Sequence, residues 1–157
     1  MSPRAACRLE TLGFPRVYDY RLGKVDWLAH QLPIEAEHAG EPTVGSLARQ
    51  DVVTCGTDDA VGMVRDSVAD SPYPFALVQS EGGVLLGRLR ASMLDCNPEL
   101  RAGEVMEPGP STVRPHKTAA TVAADLGAKE LRWAIVTTPE GVLIGVAARR
   151  ELEAAAA

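Results

Sequence analysis

Residues 75–94 read FALVQSEGGVLLGRLRASML, and residues 133–152 read WAIVTTPEGVLIGVAARREL. Set one under the other without a gap, they share Ala76 with Ala134, Val78 with Val136, Val84 with Val142, Leu85 with Leu143 and Leu94 with Leu152. Gly83 and Gly87 likewise match Gly141 and Gly145, while Phe75 stands opposite Trp133. Self-similarity at this length marks a unit built twice. The repeat reaches upstream: VGSLARQDVVTCGTDDAVGMV from Val44 answers AGEVMEPGPSTVRPHKTAATVA from Ala102 with one residue of slippage.

Each copy therefore reads as a lead-in segment, a short strand, a helix, two strands joined by a turn, and the start of another helix. Ala60, Val61, Val64 and Val68 fall on one helical face in copy one. Ala119, Val122, Ala123 and Leu126 do so in copy two. Thr57 with Asp58 and Asp59 reads as an N-cap and acidic first turn, where copy two has His116 and Lys117 instead. FALV, VLLGRL, WAIV and VLIGVA are apolar on both sides, and their short connections suit hairpins. Such strands need cover on both faces, so the copies should pack against each other. The helix positions Val61, Val64, Val122 and Leu126 exceed what one thin sandwich is expected to bury, which predicts a homodimer.

Residues 1–36 form a separate block: a helix ending at Gly13, a strand over RVYDY, and a short helix through KVDWLAHQL stopped by Pro33. The YDY aromatics and Trp27 would anchor this block on the repeats. Residues 37–43 are a linker, 44–100 are copy one, and 101–157 are copy two and its C-terminal helix. The predicted class is α/β, or α+β in some schemes.

The chain has 157 residues, 46% of them hydrophobic, enough for one compact domain or two small packed lobes. Its net charge of −5 and dispersed Lys and Arg argue against nucleic acid and against an anionic membrane surface. No apolar run approaches the roughly 20 residues of a membrane span, and no leader pattern is read at the start. Cys7, Cys55 and Cys96 have no CxxC spacing, and His30, His38 and His116 never pair at ligand spacing. They read as cytoplasmic thiols and isolated imidazoles, with no metal site. Cys7 is expected to be a buried structural thiol and Cys55 a small apolar filler.

The two copies resemble a tandem pair of CBS motifs, a Bateman module, over about Val44 to Leu152. TVRP at Thr112–Pro115 fits that family's strand-to-helix turn closely, and VTCG at Val53–Gly56 fits it loosely. The family closes its last strand on G-h-h-[ST]-x-x-D. Copy one has Arg90 and Met93 at the hydroxyl and carboxylate positions; copy two has Ala148 and Glu151. The resemblance implies two pseudo-symmetric clefts used for adenosine nucleotides or S-adenosylmethionine, and dimers of two chains. A carboxylate accepts from ribose hydroxyls and a thioether does not, so copy two is the expected ligand site. The implied ligand-binding residues are Thr112, Val113, Pro115, His116, Lys117, Leu131, Arg132, Ala148 and Glu151. His116 and Lys117 would favour an anion, and Arg132 would meet a phosphate.

SPRAACRLETLGF is similar to the last part of a rhodanese domain, matching at Ser2, Ala5, Ala6, Leu9, Gly13 and Phe14. That family carries its reactive cysteine in a loop ahead of this serine, so sulfur transfer is not expected. The sequence thus predicts a non-enzymatic regulatory module for a small adenosyl ligand (AMP, ATP or S-adenosylmethionine), with no required cofactor. The competing reading is a ligand-free dimer that serves an unidentified protein partner.

Overall fold

The computed structural model describes residues 3–18, 20, 22–33 and 40–157. Ser2, Asp19 and His38 lie outside the described residues. Two helices, α1 (Pro3–Thr11) and α2 (Gly23–Ala29), precede the repeats. Copy one follows as β1 (Thr54–Cys55), α3 (Val61–Ala69), β2 (Phe75–Gln79), β3 (Leu85–Arg90) and α4 (Ala91–Leu94). The lead-in of copy two supplies α5 (Ala102–Val105) and β4 (Glu107–Pro108). Then come β5 (Thr112–Val113), α6 (Ala119–Ala128), β6 (Trp133–Thr137), β7 (Leu143–Ala148) and α7 (Arg149–Ala156). The mixed α/β repeat unit is the one the sequence predicts.

In each copy a short strand runs parallel to the first long strand, which pairs antiparallel with the second. The double-sided apolar pattern has a simple cause. Side chains alternate across a strand, so Ala76 and Val78 face the helices with Val61, Val64, Leu89 and Leu94. Phe75 and Leu77 face the other copy, where they join Val52, Tyr73, Ile135 and Val146 in a layer shared by both halves. Copy two repeats this, with Ala134 and Val136 under α6 and α7. Full burial of a side chain such as Leu77 stabilises by about 1.5–3 kcal/mol.

Each lead-in crosses to the other copy. β4 adds to the edge of β3, pairing Glu107 with Arg88 and Pro108 with Gly87. Arg49 bridges Val146 on β7 in the same manner. The hairpin turns also meet, with Leu85 N–H donating to the Gly141 carbonyl and Leu143 N–H to the Gly83 carbonyl, both at 2.9 Å. Close approach requires small residues here: a Cβ on Gly145 would overlap the backbone carbonyl of Arg49.

Several expectations are corrected. Among the described residues of RVYDY, none is in a strand, because no sheet edge lies alongside; Tyr20 instead stacks edge-on against Trp27 at 5.2 Å. Tyr18 is 79% exposed and anchors nothing. α2 stops at Ala29, ahead of Pro33, where Gln31 turns the chain at φ 54°. Cys7 is exposed rather than buried, whereas Cys55 is a core residue whose thiol burial pushes up to about 11. α3 begins at Val61 after an extended Ala60, so Thr57 is not its cap; Asp59 Oδ2 instead accepts from Gly56 N–H at 2.8 Å. Val61, Val64, Val122 and Leu126 are all buried within one chain, so they do not demand a second subunit.

Candidate functional site

Three cavities open around the starts of β2 and β6, two of them lined by residues of both copies. The first, of about 410 Å³, is lined by Pro72 from copy one and by Arg132, Trp133, Ala148, Arg149, Arg150 and Glu153 from copy two. Register builds it. Trp133 is the direct partner of Ala148 across the β6–β7 ladder, and Arg149 N–H donates to the Arg132 carbonyl at 2.9 Å. The last residue of β7 and the first turn of α7 are thereby held against the chain entering β6. Ala148 is small, which leaves room beside the indole. Tyr73 fixes the ring edge-on at 4.9 Å.

Three arginines and one carboxylate therefore line the same cavity. Arg149 Nε lies 3.4 Å from Glu153 Oε1. Among the described residues, the side chains of Arg132 and Arg150 make no hydrogen bond or ion pair. Free, forked donors beside a flat aromatic ring suit a ligand that carries both phosphate and a planar group.

The second cavity, of about 290 Å³, shares Trp133 with the first, includes Leu131, and continues between β5 and α6 past Thr112, Val113, Lys117, Asp125 and Lys129. Arg114 also borders it, but its guanidinium turns to Thr137 Oγ1 at 2.8 Å and to the Thr138 carbonyl. The helix start nearby is already capped, since Thr118 Oγ1 accepts from Thr121 N–H. Burial, with Lys117 and Arg114 close by, pushes the His116 imidazole down from its ordinary range. His116 is thus the less able of the two to offer a charge to an anion.

The third cavity, of about 390 Å³, is the counterpart in copy one and is lined by Pro74, Phe75, Arg88, Arg90, Ala91, Ser92 and, from copy two, Leu131. Its arginines are held. Glu107 Oε2 accepts from Arg88 at 2.7 Å, and Glu107 Oε1 accepts from Arg90 at 2.7 Å.

Of the residues implied by the sequence, Arg132 and Ala148 line the first cavity, and Thr112, Val113, Lys117 and Leu131 line the second. Pro115 is buried, and its carbonyl accepts from Gly45 N–H. Glu151 faces Arg49, at 3.6 Å. Arg49 is also gripped by Asp51 at 2.8 Å, and Asp51 accepts from Tyr73 Oη at 2.7 Å. Met93, the other closing-segment residue, packs against the copy-one core. Arg149, Arg150 and Trp133 were not among the expected site residues. Their signal was the RR pair after the last strand of copy two, where copy one has Ala91 and Ser92.

No family model matches this sequence, and no curated protein matches it. Solved structures do. The cytosolic domain of the Mg2+ channel MgtE in complex with ATP aligns at a TM-score of 0.64 and 24% identity over 72% of this chain. The CBS domains of a transcriptional regulator from Streptococcus pneumoniae align at 0.64 and 22% identity, covering 71% of this chain and 97% of theirs. The fold is that of a tandem CBS pair. CBSX2, known from Arabidopsis thaliana and solved in complex with AMP, aligns at 0.63 and 21% identity over 73% of this chain and 96% of its own. The chain spans about half the length, 48%, of the MgtE domain. Among its described residues no helix is long and apolar enough to cross a membrane.

Proposed function

We propose that this CBS pair is a non-enzymatic regulatory module of the cytoplasm that binds a small adenosine nucleotide at the copy-two cleft. One observation carries the reading: Arg132 and Arg150, without side-chain partners among the described residues, stand with Arg149 around a cavity of about 410 Å³ walled by Trp133. Phosphate oxygens would accept from the guanidinium groups, and the indole and Leu131 would cover the base. Ala148 provides the space, and Thr112, Val113 and Lys117 extend the site toward β5 and α6. AMP and ATP fit this chemistry better than S-adenosylmethionine, whose sulfonium would meet three positive charges. With Glu151 turned to Arg49, ribose contributes less to recognition than phosphate does. The bound ATP of the MgtE domain and the bound AMP of CBSX2 support the ligand class.

Thermal unfolding tests the reading, because a ligand that binds only the native state raises the midpoint. ATP and AMP at millimolar concentration should raise it, adenosine and S-adenosylmethionine much less, and Arg132→Ala with Arg150→Ala should abolish the rise. If no adenosyl compound moves the midpoint, the second reading takes over: a homodimer serving a protein partner with empty clefts. The pairing of Glu151 with Arg49 and the presence of a thioether at Met93 favour that alternative, since neither cleft then offers ribose a free carboxylate.

A further inference from the structure

We propose that the copy-one cleft is a second, latent oxyanion site, held closed by the chain's own Glu107, whose carboxylate occupies the place of a phosphate group. The site is distinct from the copy-two cleft and does not depend on that cleft binding anything.

Arg88 and Arg90 are alternate residues of β3, so both project from the same face of the strand. That is the face turned to the other copy, since Arg88 is the direct partner of Leu77 and Arg90 of Phe75, both in the shared apolar layer. Copy two has Val146 and Ala148 at the equivalent positions. Two guanidinium groups thus stand side by side at the edge of an apolar layer, where an anion between them is favoured. Glu107 supplies it from β4, where it is the cross-strand partner of Arg88.

The grip is complete for a carboxylate. Oε2 accepts from Arg88 Nη2 at 2.7 Å, from Arg88 Nε at 3.2 Å and from Arg90 Nε at 2.9 Å, while Oε1 accepts from Arg90 Nη2 at 2.7 Å. Two forks on one oxyanion is the geometry in which arginine pairs receive phosphate. The same two arginines line a cavity of about 390 Å³ with Phe75, Ala91 and Ser92. An aromatic wall, a hydroxyl and two guanidinium groups are thus assembled beside open space, with the anion coming from within the chain. In line with this, the neighbouring Arg88 and Arg90 hold the Glu107 carboxyl below its ordinary range.

Glu107 belongs to the segment that crosses from copy two to the sheet of copy one. Its side chain and an external phosphate compete for the same donors, so occupancy of this cleft and the hold on β4 are opposed. The local arrangement is a molecular stopper: an external anion enters only as the carboxylate leaves.

Calorimetry with inorganic phosphate on the full chain tests the stopper, with Arg132→Ala and Arg150→Ala present throughout to silence the copy-two cleft. In that background Glu107→Ala should bind phosphate at least about tenfold more tightly than its parent, the scale of one lost charged hydrogen bond. Adding Arg88→Ala and Arg90→Ala should remove the gain. Equal binding with and without Glu107, or a gain that survives loss of both arginines, would overturn the proposal. Should Glu107→Ala fold poorly, Glu107→Gln keeps the side chain's size. Phosphate should then restore its melting temperature where chloride at matched ionic strength does not, and equal restoration by both salts would count against the site. Failure of the copy-two reading is separately visible, as wild-type nucleotide binding that is indifferent to Arg132 and Arg150.

Discussion

Gly145 and Gly87 occupy matching positions in the two copies, but different atoms crowd them. A Cβ on Gly145 would run into the Arg49 backbone, whereas on Gly87 it would first meet the flexible end of Met106. Gly145→Ala should therefore destabilise by roughly 1–3 kcal/mol in urea unfolding, and Gly87→Ala by less. A change in the opposite order would show that the crossing of Arg49 onto β7 is loose. Tyr73 offers a second test. Burial first, and then its hydrogen bond to Asp51, push the phenol up to about 12. A group whose folded value is raised contributes stability that is complete below its unfolded value, near 10, and is lost as pH rises toward the folded one. Wild type should lose stability between those limits, and Tyr73→Phe should lack that component of the loss. Neither network was readable beforehand, because Arg49, Asp51 and Tyr73 are brought together by the crossing of segments, which residue spacing does not encode. The RR pair at Arg149 and Arg150 was visible in the sequence, but only the geometry of β6 and α7 makes it part of a cavity with Arg132.

Among elements, α2 is attached to the CBS pair by a small polar contact. His30 Nδ1–H donates to the Asp26 carbonyl at 2.9 Å, and His30 Nε2 lies 3.3 Å from Glu140 in the β6–β7 turn. Asp26 Oδ2 lies 3.4 Å from the same imidazole. The Asp26 carbonyl, together with the Asp26 and Glu140 charges, holds the imidazole above its ordinary range. The contact is thus fully made below the ordinary histidine range and fades as pH rises through the folded value. Limited proteolysis of the N-terminal block should accelerate in wild type as pH rises through and above the ordinary histidine range, and His30→Ala should be fast throughout. A rate flat with pH in both would remove His30 from the attachment. The N-terminal block is also where sequence reading was least informative. Its helices follow from the stop signals at Gly13 and Pro33. RVYDY has strand composition but no edge to join, and β propensity without a partner strand does not make a strand. The repeats were legible for the opposite reason: the unbroken apolar runs in FALV and WAIV match burial on two faces, one under helices and one against the other copy.

At the scale of the whole molecule, the pseudo-symmetry is geometric while the charges are inverted. Arg49 meets Glu151 at one edge, and Glu107 meets Arg88 and Arg90 at the other. The two clefts are thereby unequal in ion pairing: Arg88 and Arg90 of copy one are held by Glu107, while Arg132 and Arg150 of copy two have no side-chain partner among the described residues. Sequence comparison of the copies predicts unequal clefts through Met93 and Glu151, and the arginine pairing is a further difference between them that residue matching did not include. Calorimetric titration of the wild-type chain with ATP tests this most directly. One site per chain, weakened at least about tenfold by Arg132→Ala with Arg150→Ala, is the predicted result. Two equal sites, or one site indifferent to both arginines, would contradict it.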